Sequence, residues 1–283
     1  MNNVTQALYP YGGLARQLLA TGIDYSQLCD ALKGGKEGKA LQLPDFASSR
    51  FAVWSSFLRL MKDGQAVPLI ILIGGGSGTG KSTLAAEVAH LMGIRNIIGT
   101  DMLREVLRLK YPVEDEPALH ENTYNCWKPL SPFYKPEHLQ QGYYRQSQLV
   151  VTAVKAISDR VLGDGESIVL EGIHLLPSLL TSDLLARPNV ISIVLQLSDP
   201  ELHKARLYDR GISTHVMKPG DRYMPVFEKI RLVHDLFVQD ARSMSVPVIE
   251  QALPKVSLQS TLDVIYNALK IIVQNKGDNY ENE

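Results

Sequence analysis

Five mainly apolar runs divide the chain from residue 68 onward: residues 69–73, 95–99, 167–170, 190–197 and 246–249. Unbroken apolar runs are typical of strands that are covered on both faces, whereas half-exposed strands alternate between apolar and polar residues. Stretches with helical periodicity separate the runs. The pattern therefore predicts an α/β fold, a doubly wound parallel sheet of five strands with helices on both faces.

The first 66 residues show no strand pattern. Periodic leucines in residues 14–32 and the apolar face of residues 51–61 predict three helices. Pro68 marks a boundary, because the residue before a proline is pushed toward extended geometry. We therefore expect three parts, which are a helical N-terminal region (1–66), a main domain (67–275) and a flexible polar tail (276–283).

Composition changes this picture little. A length of 283 residues with 45% hydrophobic residues allows a sizeable core, and a net charge of −1 argues against broad electrostatic binding to nucleic acid. Cys29 and Cys126 lie far apart without metal-like spacing, and no apolar run approaches the roughly 20 residues of a transmembrane helix. We expect a soluble cytoplasmic protein without nucleic-acid or membrane partners, and a homo-oligomer is left open.

The first apolar run leads into GGGSGTGKST, residues 74–83, which matches the pattern G-x-x-x-x-G-K-[ST]. Glycines let backbone N–H groups curl around phosphate oxygens, and the following helix adds its positive N-terminal end. Lys81 is expected to lie exposed and to reach the β and γ phosphates, while Ser82 holds Mg²⁺. The motif predicts an ATP site formed by Gly75, Gly76, Ser77, Gly78, Thr79, Gly80, Lys81, Ser82 and Thr83.

Acidic residues follow two further runs, at the strand ends where ligands bind in such sheets. Asp101 after the second run is either a helix cap or a general base that accepts the proton of an attacking hydroxyl. Glu171 after the third run acts in phosphate-loop enzymes through Mg²⁺ or its bound water. The sequence thus predicts Lys81, Asp101 and Glu171 as catalytic and Ser82 with Glu171 as the metal site. It does not decide which carboxylate is the base.

Cationic residues lie in the two longest connections. Residues 112–147 are rich in aromatic side chains, which favours an ordered substrate pocket over disorder, with a plain helical cover as the alternative. Arg206 and Arg210, spaced by four after the fourth run, are either surface residues or catalytic residues of a closing lid. The predicted acceptor is an anionic, phosphorylated small molecule, bound by Asp101, Arg104, His120, Lys128, Arg145, His174 and Arg222.

Taken together, these segments resemble the 2-phosphoglycerate kinase family. The resemblance covers most of residues 68–255 and rests on the phosphate loop, residues 98–106 (IGTDMLREV), 119–121 (LHE), 127–128 (WK), 171–175 (EGIHL), 222–223 (RY), 230–231 (IR) and 247–250 (PVIE). It implies a fold like those of nucleoside monophosphate and shikimate kinases. It also implies ATP-dependent phosphorylation of 2-phosphoglycerate to 2,3-bisphosphoglycerate.

Alternatives remain for the N-terminal region and for the function. Archaeal members of the family carry an N-terminal ATP-cone module. Residues 11–22 resemble its opening helix, but the glycine- and lysine-containing segment that follows departs from it. The N-terminal region is therefore either a plain appendage or a degenerate ATP-cone-like module. Plant relatives are linked to phytic acid levels, so an inositol phosphate is the alternative acceptor. A nucleotide-dependent regulatory ATPase or switch is the alternative from another class, although a switch requires neither Asp101 nor lid arginines.

Overall fold

The computed structural model describes residues 13–36, 42–213 and 220–277, with side chains for residues 13–33, 42–209 and 223–275. The strands in these parts are β1 (Ile70–Gly75), β2 (Asn96–Gly99), β3 (Ile168–Gly172), β4 (Val190–Gln196) and β5 (Val248–Glu250). The helices are α1 (Leu14–Ala20), α2 (Tyr25–Lys36), α3 (Asp45–Lys62), α4 (Lys81–Met92), α5 (Thr100–Lys110), α6 (Pro117–His120), α7 (Pro136–Gly163), α8 (Ser182–Leu185), α9 (Pro200–Ser213), α10 (Phe227–Ser243) and α11 (Pro254–Gly277). Short 3-10 turns occupy Pro177–Leu179 and Gly220–Val226.

All five strands pair in parallel, in the order β2-β3-β1-β4-β5. Strand β1 is central, and its Ile70 lies opposite Ile168 of β3 and Val190 of β4. Each predicted apolar run forms one strand, with bounds within two residues of those expected. The prediction of a five-stranded doubly wound sheet is confirmed. This order places the phosphate loop after β1 between the ends of β3 and β4.

Two hydrophobic cores cover opposite faces of the sheet. Ile70 and Leu72 of β1 pack with residues of α5, α7 and α10, whereas Ile71 and Ile73 pack with residues of α4 and α11. Successive side chains of a strand point to opposite faces, so a strand covered on both faces must be apolar throughout. Every residue of β1 is buried, which explains why its sequence is an unbroken apolar run.

The N-terminal helices share the second core. Trp54 and Phe57 of α3 belong to the same buried cluster as Ile71 and Leu269. The three helices predicted in this region are confirmed as α1, α2 and α3. Residues 1–12, which include the start of the predicted ATP-cone-like helix, and residues 278–283 of the predicted tail lie outside the described residues. In the described parts of the chain, no helix combines the length and apolar character needed to cross a bilayer.

The connection between β2 and β3 contains more helix than predicted. Regular apolar periodicity in this connection begins only at Tyr143, but α7 begins at Pro136 and runs for 28 residues. Its first turns are polar apart from Leu139, so apolar periodicity does not reveal them. Pro136 suits the first helical position because its fixed φ angle is already helical and its missing N–H is not needed there.

Candidate active site

The phosphate loop closes tightly before α4. Gly80 adopts a left-handed conformation with φ 87°, and the helix begins at the next residue. A Cβ atom at Gly75 would lie 2.7 Å from Leu195 O, so this position also requires glycine. Thr79 Oγ1 donates a hydrogen bond of 2.8 Å to Gly76 O and braces the turn. The glycines of the motif therefore serve conformation and close packing, as the pattern predicts.

Lys81 is buried, contrary to the expectation of an exposed side chain. Only 8% of its surface is accessible, and Nζ donates a 2.6 Å hydrogen bond to Gly76 O. The loop folds over the ammonium group because a buried charge needs a polar partner, and the carbonyl provides one. Phosphate oxygens could replace this carbonyl as stronger, charged acceptors.

Ser82 and Glu171 come together beside the loop. Ser82 Oγ in the first turn of α4 donates a 2.9 Å hydrogen bond to Glu171 Oε1 near the end of β3. Both are oxygen ligands of the kind that Mg²⁺ prefers. No group of three or more His, Cys, Asp and Glu side chains suited to a metal occurs among the described residues. The pair fits an ion that takes its remaining ligands from water and substrate phosphates.

Asp101 lies in the first turn of α5, directly after β2. Gly99 occupies the N-cap position of this helix, so the alternative that Asp101 is its cap does not fit. The Asp101 side chain is 67% exposed, and its Oδ1 lies 3.6 Å from Arg104 Nη2. An accessible carboxylate next to a fixed cation can receive a proton from a bound hydroxyl.

Arg104 is fixed beside Asp101 and is largely buried, with 11% of its side chain exposed. Its Nη1 donates to Thr123 Oγ1 at 3.3 Å and its Nη2 to Glu105 Oε1 at 3.3 Å. Its Nε is buried and has no hydrogen-bond partner among the described residues. A guanidinium group held in this way retains a donor for an anionic ligand.

His174 is fully buried and does not fit the predicted role of contacting the acceptor. Its ring nitrogens lie 2.9 Å from Thr100 Oγ1 and 3.2 Å from Gln146 Oε1. Burial lowers the pKa of His174 to about 3, so the ring is neutral. The amide oxygen of Gln146 can only accept, which assigns the proton to Nε2 and makes Thr100 the donor to Nδ1. His174 therefore holds Thr100, the first residue of α5, from the protein interior.

His120 and Arg145 also do not fit the predicted acceptor site. His120 Nε2 lies 2.7 Å from the carbonyl oxygen of Tyr111, at the opposite end of α5 from Asp101, about 15 Å away along the helix. Arg145 is paired through two hydrogen bonds with Glu116. Both side chains thus have protein partners in place of an acceptor. Lys128 is exposed in the connection between α6 and α7 and stays a candidate.

The predicted lid arginines are only partly described. Arg206 Nη2 donates to Gln251 O at 2.7 Å and to Ala252 O at 3.0 Å, which ties α9 to the connection after β5. This arrangement does not fit direct contact with the transferring phosphoryl group. The side chains of Arg210 and Arg222 lie outside the described residues.

Sequence reasoning missed a group of side chains that holds the phosphate loop from outside. His203 Nε2 lies 2.6 Å from Ser77 O, and Arg231 Nη1 contacts both Leu197 O at 2.8 Å and His203 Nδ1 at 3.2 Å. Burial lowers the pKa of His203 to about 4, which keeps its ring neutral. A Cβ atom at Gly76 would lie 2.9 Å from His234 Cβ. His203 lies on α9, and Arg231 and His234 lie on α10. The only signal for them in the sequence is their position on the helix faces that pack against the sheet.

The fold and site together define a class of enzyme. A phosphate loop on a doubly wound parallel sheet, flanked by a serine–carboxylate pair and an aspartate–arginine pair, is typical of small-molecule P-loop kinases. No family model matches the chain. The chain is 36% identical to a 2-phosphoglycerate kinase from Methanopyrus kandleri over 229 residues, which are 80% of this chain and 67% of that protein. The chain belongs to the 2-phosphoglycerate kinase family.

Two further 2-phosphoglycerate kinases agree with this assignment. A 2-phosphoglycerate kinase from Methanocaldococcus jannaschii is 37% identical over 74% of this chain and 67% of its own length. One from Pyrococcus horikoshii is 32% identical over 81% of this chain and 73% of its own length. Among solved structures, shikimate kinase from Acinetobacter baumannii matches with a TM-score of 0.43 and 15% identity, covering 76% of this chain and 98% of that chain. The predictions of a kinase and of ATP as the phosphate donor are confirmed.

Proposed function

We propose that this kinase transfers the γ-phosphoryl group of ATP to the free hydroxyl of 2-phosphoglycerate and forms 2,3-bisphosphoglycerate. The observation that carries the proposal is the Asp101–Arg104 pair at the end of β2, which combines a proton acceptor with a fixed cation beside the phosphate loop. The names of the relatives support the same acceptor.

The charges around Arg104 favour an anionic acceptor. Its unpartnered Nε points to a missing acceptor atom, and a guanidinium group pairs well with a carboxylate or a phosphate. Burial and the nearby charge of exposed Lys128 lower the pKa of Lys229, so two further cations lie close together at the connection before α7. A neutral sugar would leave this charge without compensation. Arg222 remains a proposed contact from the side of the lid.

A few side chains carry out the separate parts of the reaction. Asp101 accepts the proton of the acceptor hydroxyl as its oxygen attacks the γ phosphorus. Lys81 and the start of α4 stabilise the negative charge on the phosphate oxygens. Arg104 holds the acceptor so that its hydroxyl faces Asp101.

We infer that Mg²⁺ is held by Ser82 and Glu171, the two oxygen ligands that lie 2.9 Å apart. When bound, the ion would neutralise part of the negative charge of the nucleotide phosphates. Excess chelator should therefore abolish turnover. Glu171→Gln should raise the Mg²⁺ concentration needed for half-maximal activity, because an amide oxygen is a weaker ligand than a carboxylate.

The acceptor is tested by measuring ADP formation with 2-phosphoglycerate, 3-phosphoglycerate, glycerate and a set of inositol phosphates, and by identifying the product by phosphorus NMR. We expect efficient transfer only to 2-phosphoglycerate. Arg104→Met should raise the KM for this acceptor at least about tenfold, the effect of losing one charged contact of about 1.4 kcal/mol, and should barely change the KM for ATP. Preference for glycerate or for an inositol phosphate would contradict the proposal.

A further inference from the structure

Tyr124 lies in the connection before α7, and its hydroxyl group is buried beside the phosphate loop. Only 8% of the residue is exposed, and Oη has no hydrogen bond of good geometry among the described residues. Burial raises the pKa of this hydroxyl most, nearby hydrogen-bonding groups of Ser77 in the phosphate loop lower it, and the carboxylate of Asp101 raises it further. The hydroxyl therefore lies where the ATP site and the proposed acceptor site meet.

Packing does not explain this hydroxyl. A buried polar group without a partner costs about 1–3 kcal/mol, and phenylalanine would fill the same space without that cost. Tyr143 of α7 provides the contrast, because it is equally buried and its Oη donates a 2.6 Å hydrogen bond to Ile173 O. A buried hydroxyl near Ser77 that forms no hydrogen bond of good geometry points to an acceptor atom that belongs to a ligand.

The chemical state of Tyr124 suits a hydrogen-bond donor. Burial raises the pKa of its hydroxyl well above the ordinary value of 10, and the negative charge of Asp101 acts in the same direction. The group therefore stays protonated at neutral pH. The chain is held at Tyr124 and at the residue before it, because Tyr124 N donates to Asn122 Oδ1 at 3.1 Å and Thr123 Oγ1 donates to Gln146 Oε1 at 2.9 Å.

We propose that Tyr124 Oη donates a hydrogen bond to a nonbridging oxygen of the phosphoryl group during its transfer. This inference rests on the proposed function. The acceptor oxygen forms its bond to the γ phosphorus, the bond from the γ phosphorus to the bridging oxygen breaks with its electron pair left on ADP, and Asp101 receives the acceptor proton. Tyr124 keeps its own proton. Ser77 is half-buried at this point of the phosphate loop, so it leaves the hydroxyl open to a ligand oxygen.

The test compares Tyr124→Phe with the matched control Tyr143→Phe. Each variant removes one buried hydroxyl, but only the first should lose a contact made in the transition state. We expect kcat of Tyr124→Phe to fall on the order of 100-fold, with nearly unchanged KM for ATP and for 2-phosphoglycerate. Its melting temperature should stay the same or rise. Tyr143→Phe should melt lower, because Ile173 O loses its donor, and should keep its kcat.

Three results would overturn the inference. They are an unchanged kcat for Tyr124→Phe, a raised KM for the acceptor with kcat retained, and a loss of stability that accounts for the loss of activity. Failure of the proposed function would be recognised separately, from the acceptor preference of the wild-type enzyme. If the wild type prefers another acceptor, or transfers the phosphoryl group only to water, the two variants are compared in that reaction. The γ-phosphoryl group is transferred there too, so the predicted loss of kcat still applies to Tyr124→Phe.

Discussion

Asp101 projects from the first turn of α5 with 67% of its side chain exposed. Asp101→Asn preserves the size of this side chain but removes its ability to accept a proton. We expect kcat to fall about 10²- to 10⁴-fold, the usual contribution of a general base, while the KM for ATP changes little. Steady-state kinetics with both substrates varied would measure the two effects.

Glu105 provides the control for this substitution. It is also exposed and its carboxylate lies 3.3 Å from Arg104 Nη2, but it is one residue farther along α5 than Arg104. Glu105→Gln should therefore disturb the same arginine without removing the base, and kcat should be retained. If Asp101→Asn turned over at the wild-type rate, the base would have to be sought elsewhere, with Glu171 as the next candidate.

The buried ring of His174 makes stability depend on pH. Its pKa is about 3 in the folded protein, against an ordinary value of 6.5, so the unfolded chain binds a proton below pH 6.5 that the folded chain does not bind. The stabilising contribution is complete above pH 6.5 and decreases as the pH falls toward 3, by about 1.4 kcal/mol per pH unit. Urea unfolding at pH 7 and pH 5 would measure this slope.

His174→Gln should reduce the slope, whatever its effect on stability at pH 7. Part of the slope should remain, because burial lowers the pKa of His203 in the same direction. His90→Gln, on the exposed surface of α4, controls for the loss of a histidine as such. A slope that His174→Gln leaves unchanged would show that its ring is protonated in the folded protein.

Residue type and position at a strand end predicted which side chains lie near the phosphate loop, but most of their partners could not be predicted. The pairing of Ser82 with Glu171 follows from two strand ends that adjoin in the sheet. The partner of Arg145 lies 29 residues earlier in the chain, and no periodicity indicates such a pair. The lack of a well-formed hydrogen bond at Tyr124 Oη could not be predicted either, because it depends on the groups that surround the hydroxyl in the fold.

Among the secondary-structure elements, strands were predicted better than helices. A strand that is buried on both faces must be apolar throughout, whereas a helix needs only one apolar stripe and can begin with polar turns. The start of α7 was missed for this reason. Its early residues are determined by tertiary packing, and Gly142 is the clearest example because it lies against the backbone of Cys126.

Gly142 tests the packing of α7. Alanine is a better helix former than glycine by about 1 kcal/mol, so propensity alone predicts that Gly142→Ala stabilises the protein. Its Cβ atom would, however, overlap the carbonyl group of Cys126, with the carbonyl carbon 2.6 Å away. We therefore expect a destabilisation of about 1–3 kcal/mol in the free energy of unfolding.

Gly163 at the end of the same helix is the matched control. No described atom would lie within 4 Å of a Cβ atom there, so Gly163→Ala should be neutral or stabilising by up to about 1 kcal/mol. Both variants can be compared by denaturant unfolding. The same sign of effect for both would mean that helix propensity, and not the contact between α7 and Cys126, dominates at Gly142.

For the molecule as a whole, the sequence predicted the sheet and its phosphate loop but not how the N-terminal region attaches. Periodicity assigns α1 to α3 as helices, yet some of their hydrogen-bond partners lie more than 200 residues later. Tyr266 Oη of α11 donates a 2.9 Å hydrogen bond to Ala20 O, and Trp54 packs in the same core as strand β1. We therefore propose that the N-terminal region and the sheet unfold together.

Arg50 is the residue through which this attachment can be tested. It is 6% exposed, and its guanidinium group donates to Thr21 O at 2.7 Å, to Gln259 Oε1 at 2.7 Å and to Asp263 Oδ1 at 2.6 Å. Arg50→Met keeps much of the side-chain volume but leaves these acceptors without their donor. We expect a loss of roughly 2–4 kcal/mol in the free energy of unfolding.

The number of unfolding transitions is the second part of this prediction. Because α3 and α11 share one core, Arg50→Met should lower the stability of the whole chain in a single cooperative transition, seen alike by tryptophan fluorescence and by circular dichroism. Arg59→Met, which removes an exposed arginine from the same helix, should change the stability by less than about 0.5 kcal/mol. Two separate transitions, with only the first shifted by Arg50→Met, would instead mean that the N-terminal region folds as an independent module.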